Sequence, residues 1–210
     1  MGKIISISNQ KGGTGKTTLA ANLAVLWSNS EYNVAIVDAD AQKSLSMWIQ
    51  SRKEYYGEDD IGMDIIKYNP HSFSDDVKSI KKNYDYVIVD SPPSITFETI
   101  QLVKNSDKII VPLQATPLDL MATIPFLNIV KRERKNSSVV LNRILPRVNL
   151  TEAMLIRLRY AGAKISRSKI TSRVIFAETF LVGRGVVDIS ISSDSAKEII
   201  NLGNEIIRNL

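Results

Sequence analysis

An apolar run at residues 3–8 leads into a loop crowded with glycine, and an apolar helix-like stretch begins directly afterwards with Leu19, Ala20, Leu23 and Ala24. No other feature constrains the fold as much. A strand that feeds a glycine-rich turn and then a helix is the arrangement that wraps backbone N–H groups around a phosphate. Gly12, Gly13 and Gly15 reach backbone angles closed to other residues, so successive N–H groups can turn inward while the helix N-terminus adds partial positive charge. Lys16 is then placed to reach the β- and γ-phosphates of ATP, and the Thr17 hydroxyl to ligate Mg²⁺. A glycine-rich turn that merely joins strand to helix is the alternative, and the Gly15-Lys16-Thr17-Thr18 ending in this context argues against it.

Short apolar, β-branched runs recur at 3–8, 34–38, 86–90, 108–113 and 139–142, with a weaker one at 63–67. Runs apolar on both faces suit strands covered by helices on each side. The segments between them, including 17–29, 42–55, 74–82 and 117–134, have helical length and spacing. The alternation predicts an α/β fold: one domain over 1–210 with a doubly wound, mostly parallel sheet and helices on both faces. Ligands of such sheets sit at the carboxyl ends of the strands, where Asp38 and Asp90 stand.

The chain has no cysteine, which removes disulfides, thiolate nucleophiles and cysteine-held zinc or iron–sulfur clusters. No apolar run approaches the roughly 20 residues of a spanning helix, so a soluble protein without stable membrane insertion is expected. The net charge of +5 is unevenly distributed: residues 131–184 carry 13 basic and 3 acidic side chains, whereas residues 1–130 carry 12 and 15.

The loop does not meet the simple pattern G-x-x-x-x-G-K-[ST], because Gln10 stands where its first glycine belongs. The sequence has Lys11-Gly12-Gly13-Thr14-Gly15-Lys16-Thr17-Thr18, with a second lysine ahead of the glycines. This resembles the deviant Walker A motif of the ParA/MinD family of ATPases, whose P-loop fold matches the one predicted. In that family the early lysine reaches across a sandwich homodimer to the partner's nucleotide, which would give Lys11 a catalytic role beside Lys16 and make dimerisation depend on ATP.

The resemblance extends along nearly the whole chain. Asp38-Ala39-Asp40-Ala41-Gln42 is similar to the family's D-x-D-P-Q segment, with Ala41 in place of proline, and implies that Asp40 orients the attacking water. Residues 86–93 resemble the Walker B strand and its switch, so Asp90 would hold Mg²⁺ through water. Asn142, in Val139-Val140-Leu141-Asn142-Arg143, matches the late strand whose amide reads adenine; simple termination of the strand is the other reading. Asp119 either caps the next helix or joins the dimer interface. Trp48 and Arg52, one helical turn apart, are read as packing residues before interface residues, and His71 as a surface turn residue without a role.

The basic segment, with Arg143, Arg147, Arg157, Arg159, Lys164, Arg167, Lys169 and Arg173 nearly unopposed by acids, suits a polyanion. No helix-turn-helix is evident, and the chain opens at its first strand, so no base-reading N-terminal domain is expected. The resemblance implies a slow, partner-stimulated ATPase that binds DNA non-specifically as an ATP dimer and is released on hydrolysis. A centromere-binding ParB-type protein would be the stimulating partner, plasmid, chromosome or other cargo the load, and the cytoplasm of a prokaryote, at the nucleoid, the location. Two other readings stand beside it: a MinD-like membrane-associated ATPase, for which residues 197–210 offer few basic side chains, and a metabolic ligase of the dethiobiotin synthetase kind.

Overall fold

The computed structural model describes residues 1–145 and 152–210; Arg147, counted above in the basic segment, lies outside them. The elements alternate along the chain as β1 (Lys3–Ile7), α1 (Lys16–Ser28), β2 (Val34–Asp38), α2 (Ser44–Tyr56), β3 (Asp64–Ile66), α3 (Phe73–Asn83), β4 (Tyr86–Asp90) and α4 (Phe97–Asn105). They continue as β5 (Lys108–Leu113), α5 (Pro117–Arg132), β6 (Ser137–Ile144), α6 (Glu152–Tyr160), β7 (Ile165–Thr171), α7 (Ile175–Leu181) and α8 (Asp194–Arg208), with a short 3₁₀ turn at Val186–Asp188 before α8.

The described strands form one seven-stranded sheet in the order β3-β2-β4-β1-β5-β6-β7, and every pair is parallel. The doubly wound expectation therefore holds, and β7, inside the stretch read only as basic, adds a strand to the six foreseen. With β1 central, the chain winds first to one side and returns to the other. The carboxyl ends of β1, β2 and β4 thus lie together at the switch in winding direction.

β5 is internal yet carries Pro112, which has no N–H to give. Ser8 donates to the Ile110 carbonyl, so the backbone of residues 110 and 112 faces the β1 side, and β1 ends opposite Ile110. The missing donor falls where no strand remains to receive it. The Pro112 carbonyl on that same side accepts from Asn9 Nδ2 at 2.8 Å.

α1 is apolar nearly all round because it is covered on all sides: Leu19 to Trp27 are buried between the sheet and α8. α8 is amphipathic and lays Ala196, Ile199, Leu202 and Ile206 against α1 and β7. Gly203 lets the two helices approach, since a methyl group there would collide with Leu26. The apolar side of the closing helix, the one candidate for a membrane contact, is thus covered by the core. No described helix is long and apolar enough to cross a membrane. On the opposite face α5 and α6 close one cluster over β5 and β6, and α3 and α4 close another over β2 and β4.

Candidate functional site

Parallel register assembles the site. Asp38 of β2 is the partner of Asp90 of β4, and Asp90 is in turn the partner of Ile7 of β1, two residues before Asn9 opens the loop. Three sequence-distant features are therefore neighbours at one end of the sheet.

The loop runs from Asn9 to Gly15, and α1 starts at Lys16. Gly13 and Gly15 hold φ of 73° and 88°, in the left-handed region that only glycine enters freely. Neighbouring strands brace the loop from outside. Asn142 Nδ2 donates to the Thr14 carbonyl at 2.7 Å, and Gln114 Nε2 and Arg143 Nη1 both donate to the Gly13 carbonyl at 3.1 Å. Drawing carbonyls outward leaves the N–H groups on the other side, as an anion cradle requires. Arg143 adopts φ of 53°, uncommon outside glycine, to make its contact. Gln114 was not assigned a role from sequence, and Arg143 was read only as part of the basic segment and not as a brace of the loop; a polar residue just past or at the carboxyl end of a strand was the available signal.

Lys16 is buried, and its ammonium donates to the Lys11 carbonyl at 3.1 Å, folding back over the cradle. Burial lowers its pKa from the ordinary lysine value, while Asp90 and Asp40 pull it the other way. Lys11 does not turn into its own cradle: its ammonium pairs with the buried carboxylate of Asp119. Asp119 also accepts the Thr116 hydroxyl proton at 2.6 Å, and its N–H donates to the Thr116 oxygen at 3.1 Å, which caps α5. The cap of α5 is thus Thr116 and not Asp119, which sits in the first turn, holds the Thr116 hydroxyl and pairs with Lys11.

Asp90 is fully buried, and neither carboxylate oxygen has a hydrogen-bond partner of good geometry among the described residues. Its pKa is pushed up to about 7, chiefly by burial and further by Asp38 and Asp40, against the Thr17 hydroxyl and Lys16. Such an orphaned carboxylate beside a hydroxyl fits a hard cation. Mg²⁺ is such a cation: it takes one or two protein oxygens and completes its shell with water and phosphate. Asp38, by contrast, is satisfied: it accepts from the Asp40 N–H, the Ser46 N–H and the Ser46 hydroxyl. That folds the 38–46 turn around the buried Asp40, whose Oδ1 accepts the Gln42 N–H at 3.0 Å and whose charge acts on Lys16.

A cleft of about 630 Å³ opens from Gly15 and Thr18 along β6 to α7, lined by Asn142, Arg143, Phe176 and Phe180 among others. Its size and its mixture of apolar wall and few polar groups suit a nucleotide base. Asn142 reaches the cleft, but one amide hydrogen is engaged on the loop. Trp48 and Arg52 are buried packing residues: Arg52 pairs with Asp188 at 2.9 Å, donates to the Ile61 and Gly183 carbonyls, and stacks on Tyr56. His71 lies exposed in a turn.

Comparison with known proteins agrees with this geometry. Residues 5–186 match the model of the CobQ/CobB/MinD/ParA nucleotide-binding domain. The chain is 29% identical to the maintenance of carboxysome distribution protein A of Halothiobacillus neapolitanus, covering 97% of this chain and 95% of that one. It is 26% identical to the sporulation initiation inhibitor protein Soj of Bacillus subtilis over the whole of both. Among solved structures, the septum site-determining protein MinD of Pyrococcus horikoshii complexed with Mg-ADP superposes with a TM-score of 0.79 at 22% identity, over 98% of this chain and 96% of that one.

Proposed function

Because the chain belongs to the CobQ/CobB/MinD/ParA nucleotide-binding family, we propose that it is an ATPase of the partition and positioning type, a switch that dimerises around Mg-ATP, holds DNA through its basic segment and lets go on hydrolysis. The observation that carries this reading is the division of labour between two lysines on one loop. Lys16 folds over the cradle, whereas Lys11 points away from it to the buried carboxylate of Asp119. A cation so placed serves a second nucleotide better than its own.

In this reading the inward N–H groups of residues 12–18 and the Lys16 ammonium grip the phosphates, and Asn142 and the cleft beside α7 take the base. Thr17 and Asp90 hold Mg²⁺, which neutralises charge on the β- and γ-phosphates. Asp40 positions the attacking water, a matter of orientation more than of basicity because phosphoryl transfer has a loose transition state. Lys11 of one protomer, released from Asp119, meets the partner's phosphates and adds positive charge where it develops in transfer. Hydrolysis removes the γ-phosphate that both lysines need, and the dimer parts. Hydrolysis is slow until a partner protein stimulates it, and the cargo is a plasmid, a chromosome or a cellular body. Names of relatives that refer to carboxysome distribution and chromosome partitioning support the positioning role.

The test is binding to an arbitrary DNA duplex with Mg-ATP, Mg-ADP or no nucleotide, alongside sedimentation and phosphate release, for the wild type, Lys11→Ala and Lys16→Ala. ATP-dependent dimerisation and an ATP-dependent gain in DNA binding, both lost in Lys11→Ala while nucleotide binding persists, are the expected result. A Lys11→Ala protein that dimerises and binds DNA like the wild type would defeat the proposal.

A further inference from the structure

At the free edge of the sheet, β7 and α8 border a groove of about 830 Å³ that begins at the amino ends of β5 and β6. Lys108, Lys164, Arg167, Lys169 and Arg208 line it, against only two carboxylates, Glu198 and Glu205. Both carboxylates are committed elsewhere. Glu205 accepts the Ser166 and Ser168 hydroxyls at 2.8 and 2.7 Å and the Arg167 and Ser168 N–H groups at 2.9 Å. Glu198 accepts the N–H and hydroxyl of Thr171 at 2.9 and 2.8 Å and the Arg173 guanidinium at 3.2 Å. These bonds cover donors that an edge strand leaves open, and they direct negative charge at the backbone instead of at the cations.

None of the five cations forms an ion pair with a described residue. Lys108 is the most unusual of them. It is 1% exposed, and its ammonium donates to Asn136 Oδ1 at 2.9 Å with no carboxylate in ion-pair range. A buried ammonium without a counter-ion is costly, and a bound anion would supply what the protein withholds. Arg167 and Lys169, both exposed, stand two residues apart on an extended strand, about 6.6 Å. They form a row of charge, which suits a linear polyanion better than a lone phosphate.

We propose that this groove seats the phosphate backbone of a DNA duplex, with Lys164, Arg167, Lys169 and Arg208 along the track and Lys108 at its floor. The proposal rests on the DNA-binding reading above and changes its geometry. The groove starts at the amino ends of the strands, and the phosphate loop lies at their carboxyl ends. Two protomers joined nucleotide to nucleotide therefore carry their grooves facing apart. The dimer holds two separate duplex segments, so ATP converts single weak contacts into a bridge.

The experiment is fluorescence anisotropy of a labelled duplex across a salt series. It compares the wild type, a Lys164→Gln/Arg167→Gln/Lys169→Gln triple variant and an Arg157→Gln/Arg159→Gln variant elsewhere in the basic segment. Binding of a fluorescent ATP analogue checks that the nucleotide site is intact. The triple variant is expected to lose about tenfold or more in DNA affinity and to flatten the log–log salt slope by about 2.7, the value for three phosphate contacts. The second variant should change little, and the wild type with Mg-ATP should capture a free duplex onto an immobilised one. A triple variant that binds as the wild type does, or a pair variant that weakens binding as much, overturns the groove assignment while the DNA reading stands. A wild type that ignores the duplex in every nucleotide state overturns both. Calorimetric binding of inorganic phosphate to the groove without duplex binding would reassign it to small anions and overturn the nucleic-acid proposal.

Discussion

Replacing Lys108 by methionine keeps most of the aliphatic stem and removes the charge, so it isolates what burying an ammonium without a counter-ion costs. The lysine value of 10.5 falls to about 8 in the folded protein, through burial first and then the charge of Lys164, with Glu205 opposing. At about 1.4 kcal/mol for each pKa unit, that lowering corresponds to about 3 kcal/mol of lost stability at neutral pH. Losing the donor to Asn136 offsets about 1 kcal/mol of the gain. K108M should therefore be more stable than the wild type by about 2 kcal/mol at pH 7, read by urea unfolding through the fluorescence of the two tryptophans, Trp27 and Trp48. The pH dependence gives a second check. Between about pH 8 and 10.5 the unfolded chain holds more proton on Lys108 than the folded one, so the penalty fades as pH rises. The gap between variant and wild type should be full below pH 8 and should close toward pH 10. A variant less stable than the wild type at pH 7, or a gap that pH leaves unchanged, would refute the reasoning.

Asp90→Asn should leave a protein that no longer responds to Mg²⁺. Mg-ADP should raise the melting temperature of the wild type and EDTA should remove that gain, whereas the variant should melt alike in both, as read by differential scanning fluorimetry. Gly15→Ala forces a left-handed backbone on alanine and drives its methyl group into the Asn142 amide. A loss of about 1–3 kcal/mol in stability is expected, with weakened binding of a fluorescent ATP analogue, and unchanged binding would contradict the bracing described for the loop. Arg52→Ala removes the counter-ion of the buried Asp188 carboxylate, which keeps the Gly185 N–H and the Asn29 amide, and should cost about 2–4 kcal/mol in urea unfolding. A change under about 1 kcal/mol would mean that the pair is incidental.

The parts of the site legible in the sequence were those set by local chain geometry. A strand, a glycine turn and a helix are contiguous, and an aspartate closing an apolar run marks a strand end wherever the strand lies. Lateral order was not legible, because it depends on which apolar faces meet; nothing local to Asp38 says that Asp90 will be its neighbour. β7 escaped notice for a physical reason: its serines point their hydroxyls at Glu205 and its basic residues face the groove, so Ile165 and Ile170 alone carry an apolar signal. Lys108 opened a recognised strand, yet nothing local to it announced that its side chain would be buried. The Lys11–Asp119 pair joins positions more than a hundred residues apart and was not foreseen; Asp119 was open only as a helix cap or a dimer-interface residue. The closing helix packs against β7 and α1 together.

The pairing of Ile7 with Asp90 and of Asp90 with Asp38 also has a kinetic meaning. Neither the cradle nor the cation site exists as a complete unit until strands from opposite ends of an 83-residue interval have come into register. Loop closure of that kind belongs late in assembly. If the chain binds Mg-ATP as proposed, nucleotide meets a chain that has already crossed its main barrier and should act as a latch, slowing unfolding and leaving the rate of folding nearly untouched.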